Sequence, residues 1–430
     1  MSNLIIKGAH VVSPKANLDG KFTVHIKGTK IAGIHKPSVA VDKIDSAAHV
    51  LDADGLILTP GLIDMHVHLR EPGYEYKETI ATGTHAAAHG GFTSVACMAN
   101  TNPINDNASV TKFIKEKAEQ EGYVNVFPIG AMTKGLKGAE LSEYGDMSDA
   151  GCIALSDDGT TVMDALVMRR VMEYAKTFDL LCISHAEEKS LARGGQINEG
   201  IVSTRLGLQG IPNQAEDLIV ARDIQLAELT GCRVHIAHVS TGGAVELIRA
   251  AKKRGVSVTC ETAPHYFTLT DGDIKDYDTN YKVNPPIRSN ADKKAIIKGL
   301  KDGTIDAIAS DHAPHHSDEK ELEFNQAAFG ISGIETILPL TLKLVHDGTL
   351  TMGGLVEKLS ENPADILGLD NKGVIKEGAD ADITLIDVNK EFTLTADDLK
   401  SKGKNSPFIG MEFKGCAKSV VVNGKGKHHQ

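Results

Sequence analysis

The stretch LIDMHVHLREPG, residues 62–73, sets His66 and His68 one residue apart, follows them with Arg70, and breaks the chain at Pro72 and Gly73. In an extended segment, side chains two positions apart share a face, so both imidazoles point the same way and can hold one ion together. Polar groups of the same kinds end other apolar runs further along: Asn100, then Asp157 and Asp158, then His185, His238 and His265, and finally Asp311 with His312, His315 and His316. Imidazole with carboxylate suits zinc or another divalent transition metal. Four histidines and two aspartates suffice for two ions that share a bridging carboxylate.

Such groups do chemistry only if the chain brings them to one place. The apolar runs that carry them are LIDMHVHLR, FTSVACMANTNP, VNVFPIGAM, GCIALSDDG, LLCISHAEE, RVHIAHVS, VSVTCETAPHYF and IDAIASDHAPH, eight in all. Between them lie stretches of helical periodicity; EDLIVARDIQLAELTG, residues 216–231, places apolar residues three and four apart and ends on glycine. Strands alternating with helices predict parallel βαβ units, and eight of them closing on one another predict an α/β fold, a (β/α)₈ TIM-like barrel over residues 56–372. In that architecture the carboxyl ends of the strands converge on one face, where the polar groups above would meet. The flanks read as short strands joined by turns. Alone, each would leave sheet edges and an apolar face uncovered, so residues 1–55 plus 373–430 are expected to form one discontinuous β-sandwich domain. His10, His25, His35, His49, His85, His89, His235, His346, His428 and His429 lie off the strand ends and read as packing or surface residues.

Composition narrows the class of function. With 41% hydrophobic and 24% charged residues the chain is an ordinary folded one, and a net charge of −11 disfavours a surface built for nucleic acid or anionic lipid. Neither a signal peptide nor an apolar run of membrane-spanning length is legible, and the six cysteines are scattered through apolar runs without a C-x-x-C pair. A cytoplasmic protein with buried, reduced thiols and a small-molecule substrate is the expectation.

PGLIDMHVHLREPG, SDDG, CISHAEE, HIAHVS, NPPIR, SDHAPH and FGISGIET, in this order and spacing, resemble the dihydroorotases of the amidohydrolase superfamily. The match is to the bacterial class with an aspartate at the strand-four metal bridge. PGLIDMHVH alone marks only the superfamily; NPPIR and SDHAPH narrow it, and the resemblance spans essentially the whole chain. It implies two zinc ions per subunit: His66, His68 and Asp311 on one, His185 and His238 on the other, Asp158 bridging. Spacing alone does not choose between Asp157 and Asp158. Hydantoinases and other dihydroorotase classes carry a carboxylated lysine at that bridge, and CIALSDDG contains no lysine.

The resemblance further implies that His68, Arg70, Asn100, Asn284, His315 and the backbone around Phe329 and Gly330 touch the substrate, with the planar guanidinium of Arg70 gripping a carboxylate. A hydroxide held between two zinc ions is a strong nucleophile near neutral pH, and Asp311 beside it would be the general acid/base. The implied reaction is the reversible cyclisation of N-carbamoyl-L-aspartate to L-dihydroorotate and water in pyrimidine synthesis. An allantoinase or hydantoinase-like cyclic amide hydrolase and a catalytically dead barrel are the competing classes. Ligand type leaves zinc, cobalt and manganese open. A homodimer, and association with aspartate carbamoyltransferase as in some relatives, complete the expectations. The long charged segment after SDHAPH reads as mobile chain near the site or as solvated surface.

Overall fold

Apolar and β-branched residues fill the eight runs, and parallel strands covered on both faces need this continuity rather than alternation. The structure, a computed structural model, describes residues 3–429, with side chains to 426, so His428 and His429 lie outside the described side chains. The runs form strands Leu62–Val67, Phe92–Cys97, Asn125–Ala131, Ala154–Ser156, Leu181–Ser184, Val234–Ile236, Val258–Thr262 and Ala307–Ile308, called here barrel strands one to eight. Each pairs in parallel with its successor in the chain. A parallel bridge from Val67 to His312, with the His68 N–H donating to the His312 carbonyl at 2.8 Å, closes the ring.

The helices between strands start and stop where their sequences dictate. Ile80–Gly90 begins at Thr79, whose side chain accepts from the Thr82 N–H while Thr82 returns the bond, and it ends at Gly91 in the left-handed region. The helix expected over residues 216–231 runs Gln214–Thr230 and is terminated by Gly231 at φ 66°. Gly242–Lys253 buries Val245, Ile248 and Ala251 on one face against the barrel and turns its charges outward. Among the described residues no helix is long and apolar enough to cross a membrane. The six cysteines are buried, and none is joined by a disulfide.

The flanks assemble together, as their exposed edges require. A four-stranded sheet takes Lys30–His35, Thr23–Lys27, Asn3–Lys7 and His49–Asp52, all from the N-terminal side. A six-stranded sheet interleaves both ends of the chain, in the order Lys425–His429, Glu412–Val422, Ile383–Thr393, Ile57–Pro60, His10–Ser13 and Leu18–Lys21. Ile6, Val11, Val24, Ile26, Leu58, Ile383 and Leu385 form the core of this sandwich, apart from the barrel core. Ile57–Pro60 thus pairs within the sandwich, Ile383 opposite Pro60 and Ile386 opposite Ile57, although it lies beyond residue 55. Gly61 then lets the chain turn into barrel strand one: a Cβ there would stand 2.0 Å from Thr93 Oγ1.

The charged segment after SDHAPH is fastened to the body. Its Lys320 is buried and donates to the carbonyls of Ala328 and Gly330 at 2.8 and 3.3 Å, while Lys282, also buried, donates to the Phe324 carbonyl at 2.6 Å.

Candidate active site

Barrel strand one delivers His66 from its interior and His68 from just past its end, both buried. Strands four, five, six and eight contribute Asp158, His185, His238 and Asp311 immediately beyond their carboxyl ends. His66, His68 and Asp158 bring ligand atoms within 4.8 Å of one another, and so do Asp158, His185 and His238. Asp158 belongs to both groups. Its Oδ1 lies 3.4 Å from His66 Nε2, 3.5 Å from His185 Nδ1 and 3.6 Å from His238 Nε2, and its Oδ2 lies 3.7 Å from His68 Nε2. Asp311 Oδ1 stands 3.3 Å from His68 Nε2 and 3.5 Å from His66 Nε2.

The electrostatics fit a cation here. Burial works against the charge on Asp158, yet the surrounding imidazoles of His185, His238 and His66 outweigh it and hold the carboxyl well below its ordinary range. Asp311 is shifted the same way: burial opposes its charge, and His68 and His66 overcome that. His66 Nε2 and His238 Nδ1 are buried nitrogens with no hydrogen-bond partner in the protein. Two ionised carboxylates, four imidazoles and orphaned ring nitrogens form a donor set suited to divalent metal.

Asp157 and Asp158 separate clearly. Asp157 accepts the His185 N–H at 2.8 Å through Oδ1 and the Val162 N–H at 2.7 Å through Oδ2, so both its oxygens face backbone. It positions the strand-five histidine from outside the cluster. Backbone strain marks the same region. Arg70, His238 and Asp311 adopt φ of 62°, 35° and 48°, a conformation costing about 1–2 kcal/mol for a residue with a Cβ.

The expected substrate groups divide between two tasks. The Arg70 guanidinium lies at the rim, Nε donating to the Pro314 carbonyl at 3.2 Å and Nη2 3.4 Å from His315 Nε2. His315 is held by its N–H to Asn405 Oδ1 and by Nε2 to the Phe329 carbonyl, at 2.9 and 2.8 Å. The Gly330 N–H donates to the Lys282 carbonyl at 2.9 Å, so the Phe329 carbonyl and the Gly330 N–H already have partners. Asn100 faces the carboxylate cluster: Oδ1 accepts from His68 Nδ1 at 2.9 Å, and Nδ2 donates to Asp158 Oδ2 at 3.2 Å. It thereby aims His68 Nε2 inward. Gly73, at φ 96°, lets the Arg70 loop touch the Asn100 loop, since a Cβ would stand 2.0 Å from the Asn102 carbonyl. Asn284 donates to Glu187 Oε1 at 2.9 Å and leaves its own Oδ1 buried without a partner.

Four of the strand-end histidines lie outside the two donor groups: His265, His315 at the rim, His312, which faces Glu78 at 3.5 Å, and His316, solvent-facing beside Asp318.

One residue was not singled out by sequence. Glu261, buried in barrel strand seven, accepts from His66 Nδ1 at 2.8 Å, and its other oxygen lies 3.4 Å from His235 Nε2. Burial opposes its charge, but His235 and His66 hold its pKa down to about 2. An anionic partner on Nδ1 fixes the tautomer that turns Nε2 of His66 toward Asp158 and Asp311. The sequence signal was a carboxylate inside the apolar run VTCET. Replacing Glu261 by Gln is expected to weaken metal affinity by about 10–100-fold, read by metal titration of the purified variant.

Comparison with known proteins places the chain in a family. A family model described as dihydro-orotase-like matches residues 55–244. A protein of Geobacter metallireducens named dihydroorotase is 55% identical over 423 residues, covering 98% of this chain and 99% of its own. One of Geobacter sulfurreducens with the same name is 56% identical, covering 99% of both. Among solved structures, the L-hydantoinase (dihydropyrimidinase) of Arthrobacter aurescens superposes with a TM-score of 0.89 at 27% identity, over 99% of this chain and 96% of its own. The hydantoinase likeness is one of architecture at distant identity, whereas the relatives that match over half of all positions share the full length; by that likeness the chain belongs to the dihydroorotase family.

Proposed function

We propose that this chain catalyses the reversible cyclisation of N-carbamoyl-L-aspartate to L-dihydroorotate and water, the ring-closing step of pyrimidine synthesis. The observation that carries it is the full-length likeness to relatives named dihydroorotase. His66, His68 and Asp311 would hold one zinc ion, His185 and His238 a second, with Asp158 shared between them. Bound there, the metal pair supplies a Lewis acid and lowers the pKa of water enough to give a nucleophile near neutrality. Asp311 would move the proton. In ring opening its Oδ1 accepts the proton of the attacking water and delivers it to the departing ring nitrogen as the C–N bond breaks. In cyclisation it removes that proton as the ureido nitrogen attacks the carboxyl carbon, and water leaves. Arg70, with His315 beside it, would hold the substrate carboxylate at the rim, and Asn284 offers its unpaired Oδ1 to the ring.

The setting we propose is the cytoplasm, with a small-molecule substrate and neither nucleic acid nor membrane as partner; homodimerisation and association with aspartate carbamoyltransferase rest on family resemblance. A hydantoinase-like or allantoinase activity is the second reading, favoured by the architecture shared with the Arthrobacter enzyme. The aspartate at the bridging position speaks against it.

Purified protein is expected to open L-dihydroorotate, to lose that activity to a chelator and to regain it with zinc. Turnover of hydantoin or allantoin by the zinc-loaded protein, with none of dihydroorotate, would overturn the proposal.

A further inference from the structure

We propose that His265 is a catalytic residue that donates a hydrogen bond from Nε2 to the ureido carbonyl of the substrate; this rests on the dihydroorotase reading above. Barrel strand seven lies between strands six and eight, which carry His238 and Asp311, and His265 follows just past its end. Its ring is buried, with 1% of its surface exposed, and its Nε2 meets no hydrogen-bond partner. The orphaned nitrogens of His66 and His238 belong to the two metal-directed groups, whereas His265 belongs to neither. A buried, unpaired polar atom is costly, and such atoms persist where a ligand completes them.

The position of the ring is fixed by the segment that follows. His265 packs edge-on against Tyr266 at 4.2 Å between centroids, and the Tyr266 hydroxyl donates to the Pro285 carbonyl at 2.6 Å. One unit therefore carries His265 and Asn284, each with a buried atom lacking a partner. An imidazole can present an N–H at Nε2, and the contact requires no change in its charge.

The chemistry follows from the neighbour. Asp311 serves the ring nitrogen that leaves when dihydroorotate opens, and the ureido carbonyl is bonded to that nitrogen. As the C–N bond breaks, negative charge gathers on the nitrogen and spreads to the ureido oxygen. A donor aimed at this oxygen is stronger in the transition state than in the ground state, and it stabilises the same deprotonated ureide when the ring closes. No proton is transferred by His265, and no further reactant is needed.

The test compares His265→Phe and His265→Gln with wild type, measuring kcat and KM in ring opening, zinc per subunit and thermal midpoint. Phe fills the volume without a donor; Gln keeps an N–H near the position of Nε2. The expectation is a loss of about 100-fold in kcat for Phe, with KM within roughly threefold, zinc and midpoint unchanged, and about tenfold recovered by Gln. A Phe variant within about threefold of wild type in kcat would overturn the proposal. So would zinc loss in both variants, which would make the residue a support for His238. Wild-type protein inert toward dihydroorotate, yet active on hydantoin, would remove the substrate reading and this proposal with it.

Discussion

Asp311→Asn is expected to lower kcat by about 10²–10⁴-fold, the range a positioned general acid/base contributes. The variant preserves the size of the side chain and removes its ability to accept and return a proton. His66, His68 and Asp158 still bring three donors together without it, so the protein should retain most of its metal. Stopped assays in both directions should show equal losses in kcat/KM, because the equilibrium between open chain and ring is not the enzyme's to change. Elemental analysis of the same preparation separates the two roles of the residue. Activity within about tenfold of wild type would exclude Asp311 as the proton carrier.

Asp158→Asn should be at least as damaging, for a different reason. Asp158 is the member common to both donor groups and the anion that four imidazoles face. Without its charge, four imidazoles and Asp311 would have to hold the two zinc ions proposed above; the expected result is loss of at least one metal equivalent and of about 10³-fold or more in turnover. Asp157→Asn is the control. It weakens bonds to the His185 and Val162 N–H groups and should reduce stability by about 1–3 kcal/mol while metal is retained. If Asp157→Asn empties the site and Asp158→Asn does not, the assignment of the bridge is reversed.

The fold was legible because its signals are local. Eight apolar runs, each ending in polar residues, became eight consecutive parallel strands, and the helix read over 216–231 formed over Gln214–Thr230. The β-rich flanks came together as the shortage of partners for each alone demanded. What escaped depends on contacts between distant positions. Ile57–Pro60 and Leu62–Val67 form one apolar stretch by composition, and only Gly61, pressed against Thr93, divides it between sandwich and barrel. Glu261 was missed because its partner His66 is 195 residues away. The choice between Asp157 and Asp158 turns on which way a strand-end loop rotates, a property spacing does not carry. Lys320 lies in the run read as solvated charge; the carbonyls that accept from it exist only once the 320–330 segment has folded over it.

The interleaved six-stranded sheet bears on how the chain is made. Ile57–Pro60 has Ile383–Thr393 as its neighbour, which in turn needs Glu412–Val422. At about 5–20 residues per second a ribosome takes some 20–70 s to deliver those last strands after the first has emerged. Throughout that interval the N-terminal strands present an unpaired edge, while the barrel segment between them can already collapse. The nascent chain is therefore most exposed to misassociation at its beginning and is completed by its end. A chain truncated near residue 380, with its six metal-directed side chains intact in sequence, would still lack the strands that seal the opening sheet, and a ribosome stalled there would hold a barrel beside half a sandwich.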